Sequence, residues 1–265
     1  MAHIDVRNLW VVYRLPRHDD DLVAVEDFTL ALAGRPGEFV SIIGPSGCGK
    51  STLLLAMDGL VQPASGDLLI DGRPVAGPGP DRAVVFQEVA LLPWRTVLDN
   101  VCFGMEFRGV AAAERQEVAR RYVKLVGLSG FERHYPHQLS GGMRQRVGIA
   151  RALAVHPAIL LMDEPFGALD AQTRQLMGVE LLRIWDQERK TVVFVTHDLD
   201  EAIFLSDRVV VMTARPGRVK AVIPIELPRP RDQGVRNTLA FIDYRRQLWG
   251  LLEEEAMKSL DLVEP

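Results

Sequence analysis

Cysteine is scarce: Cys48 and Cys102 are the only two in 265 residues. They show no paired spacing, which excludes a disulfide framework and a cysteine-based metal centre and fits a reducing, cytosolic compartment. No stretch approaches the roughly 18 uninterrupted apolar residues of a spanning helix, so any membrane role is expected to be peripheral. The segment Met1 to Asp5 carries a charge and lacks the apolar core of a signal peptide. Charge of one sign is also lacking. Thirty-one Lys and Arg face 35 Asp and Glu, a net −4, so electrostatics give no case for nucleic acid as the main partner. Repeats are absent, and low complexity goes no further than Gly/Pro-rich turns. What is present is 48% hydrophobic residues in a chain longer than one compact core usually holds. One large domain or two packed subdomains are expected.

Residues 4–33 alternate apolar and polar, which predicts short antiparallel strands interrupted by a charged loop from Arg14 to Asp21. Apolar runs predict further strands at Phe39–Ile43, Asp67–Ile70, Ala83–Phe86, Ile159–Met162, Thr191–Val195 and Val209–Met212. Residues 97–154 are helical in pattern, with Glu114–Leu125 the clearest segment, and a helix is expected near Thr173–Glu188. Strands alternating with helices imply a parallel sheet covered on both faces. After Pro216 the chain ends in an amphipathic stretch with Phe241, Leu248 and Leu252 on one stripe.

The most informative stretch is Gly44-Pro45-Ser46-Gly47-Cys48-Gly49-Lys50-Ser51-Thr52, between an apolar strand and a helix start. It fits the phosphate-binding pattern G-x-x-x-x-G-K-[ST]. The glycines let backbone N–H groups turn inward at phosphate oxygens, and the helix N-terminus adds partial positive charge. Lys50 is placed to reach the β- and γ-phosphates of a nucleoside triphosphate, and the Ser51 hydroxyl to take a Mg²⁺ position. Cys48 lies where a helix N-terminus can lower a thiol pKa. It is expected to react with thiol reagents and to be protected by MgATP; the alternative is a small tolerated residue.

Each strand run then ends in a residue suited to phosphate chemistry: Phe86 in Gln87, Met162 in Asp163-Glu164, Val195-Thr196 in His197. In a parallel sheet these carboxyl ends share an edge, where ligands bind. Asp163 suits Mg²⁺, and Glu164 suits a general base that polarises water. Gln87 suits sensing metal or water without adding charge, and His197 suits a hydrogen bond to the γ-phosphate. Alone, Gln87 or His197 reads as a surface or structural residue. Leu139-Ser140-Gly141-Gly142-Met143-Arg144-Gln145-Arg146 opens another helix, with Ser140 as N-cap and two glycines exposing backbone N–H groups: a second anion site, without a lysine.

The ordered set GPSGCGKST, Gln87, LSGGMRQR, ILLMDEP, Ala168-Leu169-Asp170 and His197 resembles the ATP-binding cassette ATPases over nearly the whole chain. That resemblance implies an α/β fold: a P-loop NTPase (RecA-like) core with an N-terminal antiparallel β subdomain and an inserted α-helical subdomain. Within a single domain spanning 1–265, the core would take 1–90 and 155–215, the helical signature subdomain 91–154, and a C-terminal extension 216–265. It also implies ATP and Mg²⁺ as ligands and a head-to-tail pair of copies. Each ATP would lie between one copy's phosphate loop and the other's Ser140, Gly141 and Gly142, with Asp170 cross-linking the two sites. Tyr13 falls at the position that stacks on adenine in the family; Trp10 competes for that role.

The wording LLPWRTVLDNVCFGM, LSGGMRQR and THDLDEAIFLSDRVVVM is similar to the nitrate, sulfonate and taurine importer branch. Met143 stands where many cassettes carry Gln. In that branch the Leu91–Val97 region docks a separate transmembrane permease, which a soluble solute-binding protein serves. This implies a peripheral place on the cytoplasmic face of the bacterial inner membrane. On physics alone, Leu91, Leu92 and Trp94 could equally pack in a core. The other readings are the ATPase of another transporter class and a non-transport cassette protein.

Overall fold

A computed structural model of the chain describes residues 3–14, 21–32 and 37–261. They form two units, one of residues up to Gly79 together with those from Thr191 onward, the other of Pro80–Lys190. The first unit opens with β1 (Ile4–Tyr13), β2 (Leu22–Leu32), β3 (Phe39–Ile43), α1 (Lys50–Asp58), β4 (Ser65–Ile70) and β5 (Arg73–Pro74). The second carries β6 (Arg82–Val85), α2 (Val97–Phe107), α3 (Ala112–Leu125), α4 (Gly141–Ala154), β7 (Ile159–Asp163) and α5 (Ala171–Glu188). The chain returns to the first unit with β8 (Thr191–Val195), α6 (Leu199–Leu205), β9 (Arg208–Met212), β10 (Val219–Pro224) and α7 (Leu239–Asp261).

In the first unit β2, β1, β4 and β5 form an antiparallel sheet in that order. Its strands β1 and β2 are longer than their broken alternation suggests, at 10 and 11 residues. The register shifts between Val6 and Leu9, where Asn8 takes a positive φ of 46°, so Ile4, Val6, Leu9 and Val11 are all buried despite the lost period. The second layer of strands is parallel at its centre: β3 pairs in parallel with both β8 and β9, and β10 adds an antiparallel edge beside β9. β3 and β8 are buried along their whole length, which explains their uninterrupted apolar runs. Phe39 and Phe194 meet across them with ring centroids 5.8 Å apart.

The C-terminal stretch belongs to this unit. Phe241 and Leu248 of α7 are wholly buried and Leu252 half-buried, as the amphipathic stripe predicts. The link before α7 is pinned by Arg231, which is buried. Its guanidinium donates to the carbonyls of Ile203, Phe204 and Ser206 at the end of α6, and to those of Ile225 and Leu227. Helix-end carbonyls lack intrahelical partners, and this side chain supplies them. Burial lowers its pKa to about 10, so it stays charged at neutral pH.

In the second unit β6 and β7 run parallel, Val85 opposite Met162. Helices α2, α3 and α4 pack around Val101, Tyr122, Val123, Val147 and Ile149. No helix among the described residues is long and apolar enough to cross a membrane.

Candidate nucleotide site

The loop between β3 and α1 has the geometry its glycines require. Gly47 and Gly49 adopt φ of 74° and 102°, conformations that cost other residues strain. Behind Gly49 there is no room: an added methyl would stand 2.6 Å from the Ala24 carbonyl of β2. Lys50 opens α1, is buried, and donates to the carbonyls of Gly44 (2.9 Å) and Pro45 (3.0 Å), which fixes its ammonium over the loop. Ser51 and Thr52 follow in the first turn of α1. Tyr13 donates from its hydroxyl to Thr52 Oγ1 at 3.3 Å, bringing its ring to that turn. Trp10 lies three residues back, its carbonyl accepting from Ala64 at the β1–β4 edge.

His197 belongs to the same unit. Ile42 pairs with Val195 in parallel, so the chain leaves β3 for the loop and β8 for His197 at the same edge. His197 is exposed and borders a cleft of 490 Å³ whose other wall includes Ile242, Arg245 and Trp249 of α7. Asp198 next to it caps α6, accepting from the N–H groups of Asp200 and Glu201.

The second unit has an equivalent edge, because β6 and β7 release Gln87 and Asp163-Glu164 side by side. Glu164 takes a left-handed φ of 41°, which turns the chain out of the strand. A methyl added to Gly167 would lie 3.1 Å from Gln87 Nε2 and 3.7 Å from Glu164 Oε2, so both side chains converge there. Arg151 of α4 braces the segment after Gln87 by donating to the carbonyls of Val89 and Ala90.

Ser140 caps α4, its hydroxyl accepting from the Met143 N–H at 3.3 Å, and Ser140 and Gly141 are exposed. Methyl groups added to Gly141 and Gly142 would touch Leu169 and Thr173 at 3.5 and 3.3 Å. The Ser-Gly-Gly turn therefore lies beside Asp170, which caps α5 by accepting from the Thr173 N–H; that bond holds the Asp170 pKa low.

Residues 28–167 match the ABC transporter family. The chain belongs to that family. It is an ATP-binding cassette, and its activity is that of an ATPase. It is 58% identical over 223 residues to an uncharacterized ABC transporter ATP-binding protein of Methanocaldococcus jannaschii, covering 84% of this chain and 82% of the relative. A taurine import ATP-binding protein of Escherichia coli is 50% identical, over 78% of this chain and 80% of that one. A nitrate import ATP-binding protein of Synechococcus elongatus is 48% identical, over 80% and 77%. Among solved structures, a dimeric ATP-binding cassette in a post-hydrolysis state bound to ADP and Pi is 33% identical with a TM-score of 0.73, covering 85% of this chain and all of that one.

In this cassette one sequence expectation fails. Cys48 is 1% exposed, and burial raises its thiol pKa; the opposing pull of Lys50 is weaker. Its sulfur is wedged so close that a methyl on Gly44 would lie 2.8 Å away. The helix start alone suggested a reactive thiolate, but desolvation decides. Sequence reasoning also missed the turn from Thr213 to Arg218, which backs the phosphate loop of the cassette. A methyl on Gly217 would lie 2.1 Å from the Cys48 carbonyl, and Gly217 exchanges backbone bonds with Ala24 and Glu26 of β2. The visible signal was Arg215-Pro216-Gly217 directly after an apolar strand. As for Mg²⁺, Ser51, Gln87 and Asp163 offer a hydroxyl, an amide oxygen and a carboxylate. Those are the hard oxygen donors that Mg²⁺ accepts beside phosphate oxygens and water. The described residues contain no cluster of three or more His, Cys, Asp or Glu able to hold a metal unaided.

Proposed function

We propose that this chain is the ATP-hydrolysing subunit of an importer for a small anion such as nitrate, taurine or another sulfonate. The likeness to taurine and nitrate import ATP-binding proteins supports the importer reading. The observation that carries the ATP-hydrolysing reading is the exposed Ser140-Gly141 turn on the capped start of α4: an anion-binding helix end with no lysine of its own. A second copy of the chain, placed head to tail, would supply the phosphate loop that such a turn completes. The dimeric state of the ADP- and Pi-bound cassette supports this pairing.

In the proposed cycle Lys50 and the loop from Gly44 and Pro45 through Ser46, Gly47, Cys48, Gly49, Ser51 and Thr52 hold the phosphates, the N–H groups coming from every loop residue except Pro45, and Tyr13 stacks on adenine. Ser51, Gln87 and Asp163 would hold Mg²⁺, which when bound would offset charge on the phosphates. Glu164 takes a proton from the attacking water, Gln87 orients that water, and His197 donates to the γ-phosphate. Ser140, Gly141 and Gly142 of one copy close over the γ-phosphate held by the other, and Asp170 links the two sites. Closure on ATP and opening after hydrolysis would then do mechanical work.

The permease would receive that work at Leu91–Val97. Trp94 there is 72% exposed, and Leu91 and Leu92 are half-buried. The loop is rigid, because buried Asn100 bonds the Leu92 N–H and the carbonyls of Leu92, Arg95 and Thr96. An exposed aromatic on a fixed loop suits a protein partner better than solvent. The subunit would sit on the cytoplasmic face of the bacterial inner membrane, a soluble solute-binding protein serving the permease from the other side. The test is Glu164→Gln. Turnover is expected to fall by at least about 100-fold, while ATP binding persists and traps a dimer. Hydrolysis at the wild-type rate would refute the general-base role. Stimulation of ATPase by nitrate or taurine in the transporter reconstituted with its permease would assign the solute.

A further inference from the structure

The turn that backs the phosphate loop is tied to the far end of the chain. Arg215 donates from Nε to the Gly47 carbonyl at 3.1 Å, and its guanidinium lies 3.1 Å from where a Gly47 side chain would begin. In a trans peptide the carbonyl and the next N–H point in opposite directions. Drawing the Gly47 carbonyl outward therefore keeps the Cys48 N–H turned in; it closes the loop onto the Pro45 carbonyl at 3.3 Å. The residue before Arg215 is held from α7: the Ala214 N–H donates to Glu255 Oε2 at 2.9 Å. Glu255 is 1% exposed and gathers Lys220 (2.9 Å) and Lys258 (2.7 Å) as well. The turn also closes on itself, Thr213 Oγ1 donating to the Pro216 carbonyl and accepting from the Arg218 N–H.

We propose that Arg215 is a positioning residue for the phosphate loop, and that α7 sets its place through Glu255 and Ala214. The C-terminal helix is then part of the nucleotide site's support. This rests on the reading that the loop holds the phosphates of ATP.

The experiment is equilibrium binding of MgATP to the full-length chain by titration calorimetry, with melting temperatures measured alongside. Arg215 is exposed, so Arg215→Ala is expected to melt within about 2 °C of wild type. It should nonetheless bind ATP about three- to tenfold more weakly, the worth of one oriented hydrogen bond. Arg215→Lys should recover part of the loss, since an ammonium can still reach the carbonyl. Glu255→Ala should weaken binding similarly, and the double variant should be no worse than Arg215→Ala alone, because both act through one link. Wild-type affinity in Arg215→Ala, or additive losses in the double variant, would overturn the proposal. Lys50→Ala separates the two layers. If it alone abolishes binding, the phosphate reading stands and the link from α7 fails. If Lys50→Ala binds normally, the reading beneath the proposal is wrong and the proposal falls with it.

Discussion

Acid should loosen α7 before it reaches the rest of the cassette, and the reason is Glu255. Burial pushes its pKa up, but hydrogen bonds from Lys258, the Ala214 N–H and Lys220 together outweigh burial and bring it from 4.5 down to about 2. A carboxylate held below its unfolded value contributes stability that is present above pH 4.5 and lost as pH falls from there toward 2. The separation corresponds to about 3 kcal/mol at neutral pH. Lys258 is 63% exposed, and solvent screens its share, which brings the figure nearer to about 2 kcal/mol. Around pH 3.5 roughly half of that should be gone. The assay is urea unfolding of wild type and Glu255→Gln, followed by tryptophan fluorescence at pH 7 and pH 3.5. Wild type should be more stable at pH 7, and the gap should narrow at pH 3.5. A gap of the same size at both values would show that the carboxylate is not held ionised, and the reasoning would fail.

Thiol reagents should label neither Cys48 nor Cys102 quickly in the native cassette, because burial raises both pKa values, that of Cys102 to about 11. Rapid modification of Cys48 by N-ethylmaleimide, mapped by mass, would contradict this. Gly217→Ala forces a methyl against the Cys48 carbonyl 2.1 Å away, so the phosphate loop or the turn must move. ATP affinity is expected to drop at least about tenfold with about 2 kcal/mol of stability lost, and calorimetry showing neither would refute the packing argument. Asn100→Ala strands the Leu92 N–H and the Arg95 carbonyl, while the Leu92 and Thr96 carbonyls keep backbone N–H partners, at a cost of about 2 kcal/mol; an unchanged urea midpoint would count against it. Trp94→Ala should leave ATP binding by the isolated chain intact while reducing solute-stimulated hydrolysis with the proposed permease, and full stimulation would refute the proposed docking role of Trp94.

Much of the fold could be read from period and composition. β3, β7 and β8 are continuous apolar runs because both their faces are buried, and the edges they build show in the residues at their carboxyl ends: Gly44, Asp163, His197. The proposed site residues stand out in the sequence by order and spacing. Contacts between distant segments stayed invisible. Nothing local says that Gly217 abuts Cys48, that Glu255 reaches Ala214, or that Arg151 braces Val89 and Ala90, since each joins elements far apart in the chain. β10 escaped notice because Val219–Pro224 is only partly buried and lacks a clean alternation. Cys48 departs from its sequence expectation for the same reason. A helix start is visible in sequence, but the packing of β2 and the 213–218 turn around it is not.

The Arg231 cage bears on how the C-terminal stretch should behave in concentrated salt. An exposed pair such as Arg246–Asp243, 3.7 Å apart and mostly solvated, is screened away as ionic strength rises. Arg231 answers to five peptide carbonyls behind buried side chains, where mobile ions do not enter. A rise to molar chloride should therefore strip the outer ion pairs of α7 and leave its root attached to α6.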